Sequence, residues 1–120
     1  VLEWCRAAGH DVDVVADAAP WPDAGRLVGE AVAAGRAERG VVLCWTGTGV
    51  SIAANKVPGV RAALCGDAET ARGARRWNDA NVLALSMRAT TTAVATEILE
   101  AFVTTDEVDP GEAEHIAALG

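Results

Sequence analysis

The sequence predicts an α/β fold in which helices cover a parallel sheet. Short apolar runs alternate along the chain with longer segments that carry apolar residues at helical spacing. Strands that alternate with helices in this way form parallel sheets with right-handed crossovers. The 120 residues are enough for one domain, and 51% hydrophobic with only 4% aromatic residues predicts an alanine, valine and leucine core.

The first forty residues are predicted to hold two helices and one strand. Residues 1–9 read like the second half of a helix that ends at Gly9, so a first strand is expected to be missing before Val1. Residues 11–16 (DVDVVA) alternate charged residues with valine, which is the period-two pattern of a strand. A helix is expected from its cap at Asp23 to about Arg39.

The rest of the chain continues the alternation. Val41 to Cys44 is predicted to be a buried central strand, because strands at the centre of a parallel sheet are apolar throughout. The later elements are predicted as a helix over 50–56, a strand over 60–65, a helix over 67–76 capped by Asp67, a strand over 81–85, and helices over 90–103 and 112–119.

Charge and composition exclude several classes of partner. A net charge of −7 argues against nucleic acid or an acidic membrane surface, and no apolar run approaches the ~20 residues that span a bilayer. Cys5, Cys44 and Cys65 are an odd number without metal-site spacing, which predicts reduced thiols in a cytoplasmic protein. Cys5 and Cys65 are expected in the core. With His10 and His115 far apart, no metal is expected.

Cys44 and the loop that follows it form the candidate site. Cys44 ends its predicted strand, at the edge where open α/β sheets bind ligands. The glycines within 47–49 let the backbone approach a ligand, and the free amides of the next helix favour an anion. The hydroxyls of Thr46 and Thr48 add hydrogen-bond donors. These features predict chemistry on an anionic small molecule.

Nucleotide binding and a purely structural turn are the alternatives for this loop. A P-loop needs a lysine and a hydroxyl residue directly after its glycines, but Lys56 is distant and Val57 follows it. A dinucleotide fingerprint needs a third glycine where Ile52 stands, although Asp67 imitates the acidic residue that holds a ribose. A nucleotide-binding module stays open as a weaker hypothesis, as does a tight strand–helix connection without function.

A longer pattern is more specific. The stretch CWTGTGVSIAANKVPGVRAALC, followed by RRWNDANVLALSMR, closely resembles the ribose-5-phosphate isomerase type B and galactose-6-phosphate isomerase family. The resemblance covers about residues 41–103. It implies a Rossmann-like three-layer sandwich in which two subunits share each active site, as a homodimer or a dimer of dimers. It also implies aldose–ketose isomerisation of a sugar phosphate through a cis-enediolate, without metal or cofactor.

The resemblance assigns roles to single residues. Cys44 matches the base that moves a proton between C1 and C2, and Thr46 in the same loop is the second candidate catalytic residue. Asn78 matches the asparagine that binds the substrate, and Arg88 matches an arginine suited to phosphate. The loop whose amides would stabilise the enediolate oxygen is matched by Gly47, Thr48 and Gly49.

The chain also departs from the family pattern. Trp77 stands where many members have the histidine that opens the sugar ring, and an indole does not carry a proton as an imidazole does. It is expected either to pack in the core or to offer a stacking face to a sugar. Arg72, Arg75 and Arg76 are expected to be solvated or paired with acids. The alternative to an isomerase is a non-catalytic sugar- or anion-binding protein of the same fold.

Overall fold

Three strands and six helices make up the computed structural model, which describes residues 1–120. The strands are Gly40–Cys44 (β1), Ala62–Leu64 (β2) and Val82–Ser86 (β3). The helices are Leu2–Ala7 (α1), Trp21–Ala33 (α2), Thr48–Asn55 (α3), Ala68–Asn78 (α4), Thr92–Thr104 (α5) and, after a 3-10 turn at Pro110–Glu112, Ala113–Ala117 (α6). None of the helices combines the length and the apolar character needed to cross a membrane.

The strands form one parallel sheet in the order β1-β3-β2. The predicted parallel sheet is therefore confirmed, but β3 rather than β1 lies at its centre. Leu43 in β1 is 39% exposed, whereas residues 82–85 of β3 are buried. The apolar run of β1 predicts a central strand. Apolar side chains, however, indicate only that both faces of a strand are covered, and they do not indicate whether a second strand pairs with its free edge.

Both faces of the sheet are covered, which gives the predicted three layers. Side chains alternate along β3, so that Val82 and Ala84 join an apolar cluster with residues of α2 and α3. Leu83 and Leu85 point the other way, into a cluster that includes Phe102 of α5. Helices on both faces of a parallel sheet are the α/β architecture that the sequence indicated.

The prediction of a strand at residues 11–16 is wrong. This segment has no backbone hydrogen bond to any other part of the chain, although its valines alternate as a strand requires. Alternation makes a segment suitable for a half-buried sheet position, but a strand exists only where a neighbouring strand accepts its ladder of hydrogen bonds.

The helix boundaries at α2 also differ from those predicted. The helix starts at Trp21 after Pro20, so Asp23 lies in the first turn instead of capping it. It ends at Ala33 because Gly35 takes a left-handed conformation with φ of +77°, six residues before the predicted end at Arg39.

Other local predictions are confirmed. Asp67 caps α4, where its Oδ1 accepts the N–H of Thr70 at 2.7 Å. Gly9 follows α1 with φ of +89°. Cys5 and Cys65 are buried, in the same apolar cluster as Leu83.

Arg75 differs from its two neighbouring arginines. It is 5% exposed and pairs with Asp79 at 3.0 Å, as an acid-paired arginine should. Its guanidinium also donates to the carbonyls of Ala80 at 2.6 Å and Thr105 at 2.9 Å, and lies 6.0 Å from the centre of the Phe102 ring. Arg75 therefore ties the end of α5 to the loop before β3.

Candidate active site

Cys44 lies at the carboxyl end of β1, directly opposite Ser86 of β3. Its side chain is partly exposed and packs against the apolar cluster beneath α3, on the same face of the sheet as Val42. The next residues turn sharply into α3, because β1 ends there and α3 begins only four residues later, at Thr48. The thiol is thus held between a rigid strand and the start of a helix.

Gly47 makes this turn. Its φ is +79°, a conformation that glycine adopts without the strain of a side chain. A Cβ there would lie 2.5 Å from Leu64 Cδ1, and 3.0 Å from both the Leu85 carbonyl carbon and the Ser86 nitrogen. The loop therefore sits directly on β3, which brings the Gly47 N–H within 3.2 Å of Cys44 Sγ.

The loop stabilises the charged form of the thiol. Burial by itself raises the pKa of Cys44, but hydrogen bonds from backbone amides outweigh it and hold the pKa below the ordinary thiol value. These amides belong to Val50, Gly47, Thr46 and Gly49. The two other cysteines differ, since burial raises the pKa of Cys5, and burial together with Asp67 raises the pKa of Cys65 to about 11. Of the three thiols, Cys44 alone has a pKa below the ordinary value.

Two hydroxyls and the first turn of α3 follow this thiol in the chain. Thr46 Oγ1 and Thr48 Oγ1 are 2.8 Å apart and exposed. Ser51 donates the first backbone bond of the helix, to the Gly47 carbonyl at 3.3 Å, so the amides of residues 48–50 have no backbone partner. An oxyanion placed at this turn would meet amide donors and the positive end of the helix.

Trp21 closes one side of the turn. A Cβ at Gly49 would lie 2.8 Å from Trp21 Cε3 and 2.9 Å from Cδ2, so the indole rests on the glycine backbone. The ring is nevertheless 51% exposed. Sequence reasoning missed Trp21, and the only signal was a tryptophan between two prolines just before the helix predicted to begin at Asp23.

The end of β3 provides the opposite side. Ser86 Oγ donates to the Trp45 carbonyl at 3.1 Å and accepts the Ala89 N–H at 3.1 Å. The Arg88 N–H donates to the same carbonyl of Trp45 at 2.9 Å, which places Arg88 next to the loop after Cys44. The Arg88 side chain is exposed and forms no ion pair. Ser86 is a second residue that sequence reasoning missed.

Asn78 lies at the other end of the sheet. Asn78 is the last residue of α4, a helix that runs antiparallel to the strands. The carbonyl of the next residue, Asp79, accepts a hydrogen bond from Arg61 Nε at 2.7 Å, and Arg61 directly precedes β2. Cys44 is level with the last residue of β3, and the length of that strand alone separates the two ends by about 13 Å. The structure therefore brings together Cys44, the 46–49 loop and Arg88, but not Asn78.

Trp77 and Asn78 both point away from the chain's own core. Trp77 is 49% exposed, which excludes the first of its two expected roles, packing in the core, and leaves the stacking face as a prediction. No hydrogen bond within the chain involves the Asn78 side chain, and it is Asn81 that braces the turn, through Arg61 N–H at 2.7 Å and the Gly59 carbonyl at 3.0 Å. No group of three or more His, Cys, Asp or Glu residues is arranged to hold a metal ion.

Comparison with known proteins gives one consistent result. The model of a family described as Ribose/Galactose Isomerase matches residues 1–119. Ribose-5-phosphate isomerase B of Escherichia coli K12 is 40% identical over 83 residues, which cover 69% of this chain and 56% of that protein. D-erythrulose-4-phosphate isomerase of Pectobacterium atrosepticum is 38% identical over 100 residues, covering 83% and 66%. The chain thus spans less than two thirds of the length of these relatives.

Solved structures agree with the sequence matches. Ribose-5-phosphate isomerase B of Clostridium thermocellum superposes with a TM-score of 0.95 at 36% identity, over 99% of this chain and 83% of that one. The enzyme of Thermotoga maritima superposes with a TM-score of 0.93 at 32% identity, over 98% and 84%. The fold of this chain is therefore the Rossmann-like α/β fold of those proteins.

Proposed function

This chain belongs to the ribose/galactose isomerase family, and we propose that it interconverts an aldose phosphate and a ketose phosphate with the Cys44 thiolate as the base. The observation that carries the proposal is the partly exposed Cys44 thiol, whose pKa is lowered by the amides of the following loop. A thiolate at the end of a strand, beside a helix N-terminus, is well suited to abstract a proton near neutral pH. Relatives named for ribose 5-phosphate and erythrulose 4-phosphate support a sugar phosphate as the substrate class.

The proposed reaction moves two protons. The Cys44 thiolate takes the proton from C2 of the aldose, and the electron pair of that C–H bond forms the C1–C2 double bond of a cis-enediolate. The resulting thiol returns the proton to C1. The hydroxyl proton of O2 passes to O1, and the C2 carbonyl of the ketose forms. Thr46 and Thr48, whose hydroxyls lie 2.8 Å apart, provide a path for the oxygen-bound proton.

The first turn of α3 stabilises the enediolate in this scheme. Negative charge moves onto the substrate oxygen when C2 loses its proton, and donors already fixed in place favour that charge more than they favour the neutral carbonyl. Gly47, Thr48 and Gly49 contribute these donors through their backbone N–H groups. Those of Gly47 and Gly49 stabilise the Cys44 thiolate first and turn to the enediolate oxygen once the thiolate has taken the proton. Gly47 cannot be exchanged without moving the turn. The exposed, unpaired guanidinium of Arg88 is suited to hold the phosphate.

A second copy of the chain is needed to complete the site. Asn78 has an unused side chain, but about 13 Å of sheet separates its end of the molecule from Cys44. In a twofold dimer, a residue at the interface of one copy contacts a different residue of the other copy, and symmetry repeats the same pair. We therefore propose that Asn78 serves the Cys44 site of its partner in a homodimer or a dimer of dimers. The unpaired state of all three cysteines supports the expected cytoplasmic setting.

Deuterium exchange tests the chemistry. The full-length gene product is incubated with pentose and tetrose phosphates in deuterated water, and NMR follows exchange at C1 and C2. We expect exchange with the wild type, none above background with Cys44→Ser, and wild-type exchange with Cys5→Ala, which removes a different thiol. Folded wild-type protein without exchange, or a Cys44→Ser variant that keeps it, would contradict the proposal.

Subunit mixing tests the shared site. Cys44→Ser and Asn78→Ala chains are expected to be inactive alone and to regain activity when they are mixed and exchange subunits. Half of the dimers are then hybrids with one complete site of two, so about a quarter of wild-type activity should return. If both residues act within one chain, every mixed site lacks one of them and no activity returns.

A further inference from the structure

Ser86 joins the turn that follows β1 to the turn that follows β3. Its hydroxyl donates to the Trp45 carbonyl at 3.1 Å and accepts the Ala89 N–H at 3.1 Å. The same Trp45 carbonyl also accepts the Arg88 N–H at 2.9 Å. No other side chain forms a hydrogen bond between the two turns. The Ser86 hydroxyl is therefore the side-chain link between the turn beside the thiol and the turn that carries Arg88.

The proton of this hydroxyl is already committed. A serine hydroxyl has one proton to donate, and here the acceptor is the Trp45 carbonyl, so Ser86 is not an acid for a substrate. The backbone of Ser86 also meets the same loop, because its nitrogen lies 3.0 Å from the place of a Cβ on Gly47. Side chain and backbone together hold the chain in place on this side of the site.

The turn after β3 is the looser of the two. The three residues that follow Ser86 are exposed, and the Ala89 N–H has no partner other than the Ser86 hydroxyl. The loop after β1, by contrast, runs straight into α3 and has Gly47 packed on β3. Loss of the hydroxyl is therefore expected to free Arg88 and to leave the Cys44 thiol where it is.

We propose that Ser86 is a positioning residue that fixes the distance between Arg88 and the Cys44 thiol, and that this distance selects sugar phosphates by the length of their carbon chain. The inference rests on the proposed function, in which Arg88 holds the phosphate and Cys44 attacks the other end of the sugar. Each additional carbon adds a bond of about 1.5 Å between those ends. Since a misplacement of about 1 Å at the reacting atoms costs on the order of 100-fold in rate, a fixed Arg88 favours one chain length.

Four variants of the full-length gene product test this role. Ser86→Ala removes the hydroxyl, Ser86→Thr keeps it, and Arg88→Ala removes the group that is positioned. Thr104→Ala is the matched control, because its hydroxyl also donates to a main-chain carbonyl, that of Glu100, but within α5. For each variant, kcat and KM are measured by deuterium exchange with a tetrose phosphate and a pentose phosphate. The rate at which iodoacetamide alkylates Cys44 is measured as a function of pH.

We expect Ser86→Ala to lower kcat/KM about 10- to 100-fold on the preferred sugar phosphate and much less on the other, so that the ratio between the two falls toward one. Ser86→Thr should recover most of that loss, and Thr104→Ala should behave as the wild type. In an Arg88→Ala background, Ser86→Ala should have no further effect, because no guanidinium is left to position. The pH midpoint of Cys44 alkylation should be the same with and without the Ser86 hydroxyl.

Several results would overturn the inference. If Ser86→Ala keeps the substrate ratio of an active wild type, or if that ratio is already one, the hydroxyl does not select chain length; a general loss of stability would lower both rates alike. A shifted pH midpoint would assign Ser86 to the thiol instead of to Arg88. If the wild type shows no exchange, the proposed function fails, and calorimetry with the same two sugar phosphates decides the role of Ser86. Weaker binding in both Ser86→Ala and Arg88→Ala would then support it, and unchanged or absent binding would overturn it.

Discussion

Replacing Gly47 with alanine should damage both the stability and the proposed chemistry of this protein. The left-handed conformation alone costs alanine about 1–2 kcal/mol, part of which is offset by the stiffer unfolded chain. The new Cβ also meets Leu64 Cδ1 at 2.5 Å and two backbone atoms of β3 at 3.0 Å. The leucine tip can move but the strand backbone cannot, so overpacking adds about 1–3 kcal/mol.

Gly35→Ala is the matched control. Gly35 has nearly the same conformation, with φ of +77° against +79° for Gly47, but nothing lies within 4 Å of the position its Cβ would take. We expect a loss of about 1 kcal/mol for Gly35→Ala and about 3 kcal/mol for Gly47→Ala, measured by urea unfolding. Equal losses in the two variants would refute the tight contact between the loop and β3. Deuterium exchange should fall only in Gly47→Ala, because only there does the amide at Cys44 move.

Three further predictions concern the cysteines and Arg75. Iodoacetamide at neutral pH should alkylate Cys44 first, as detected by mass spectrometry, because the Cys44 thiol is partly exposed with a lowered pKa, whereas Cys65 is buried and its pKa is raised to about 11. Labelling of Cys65 before Cys44 would contradict the structure. The exchange rate should rise with pH as the Cys44 thiol loses its proton, with the midpoint of the rise below pH 9.0, the ordinary thiol pKa, because the fold lowers the pKa of this thiol. A rate that falls as the pH rises toward 9.0 would exclude a thiolate base. Arg75→Met should lower the free energy of unfolding in urea by about 2–4 kcal/mol, because two buried carbonyls lose their donor. The control Arg72→Met, at an exposed ion pair, should lower it by under about 1 kcal/mol, and equal losses in the two variants would disprove the buried role of Arg75.

Much of the fold could be predicted from local pattern. The strand at Gly40–Cys44, the turn at Gly47 and the cap at Asp67 each follow from residue types within a few positions. The predictions that proved wrong concern features that are decided by distant parts of the chain. Residues 11–16 have the alternation of a strand but no partner, and the place of β1 at the edge of the sheet is decided by pairing with β3, some forty residues later.

The candidate site divides in the same way. Cys44 and its loop are contiguous in sequence, so their proximity followed from the strand–turn–helix pattern. Ser86 joins them only through a contact with the backbone of Trp45 across the sheet, and Trp21 only through the backbone of Gly49. The burial of Arg75 likewise depends on Thr105, thirty positions away in the chain. No local periodicity carries such information.

The contact between Trp21 and Gly49 links the evolution of two positions that are far apart in sequence. The indole occupies the space that any side chain at 49 would need, so a larger residue at 49 is tolerated only together with a smaller one at 21. Variation at the two positions should therefore be compensatory, with one gaining volume as the other loses it. A library that randomises only position 49 would recover mainly glycine, whereas one that randomises both positions would also recover pairs with a larger residue at 49 and a smaller one at 21.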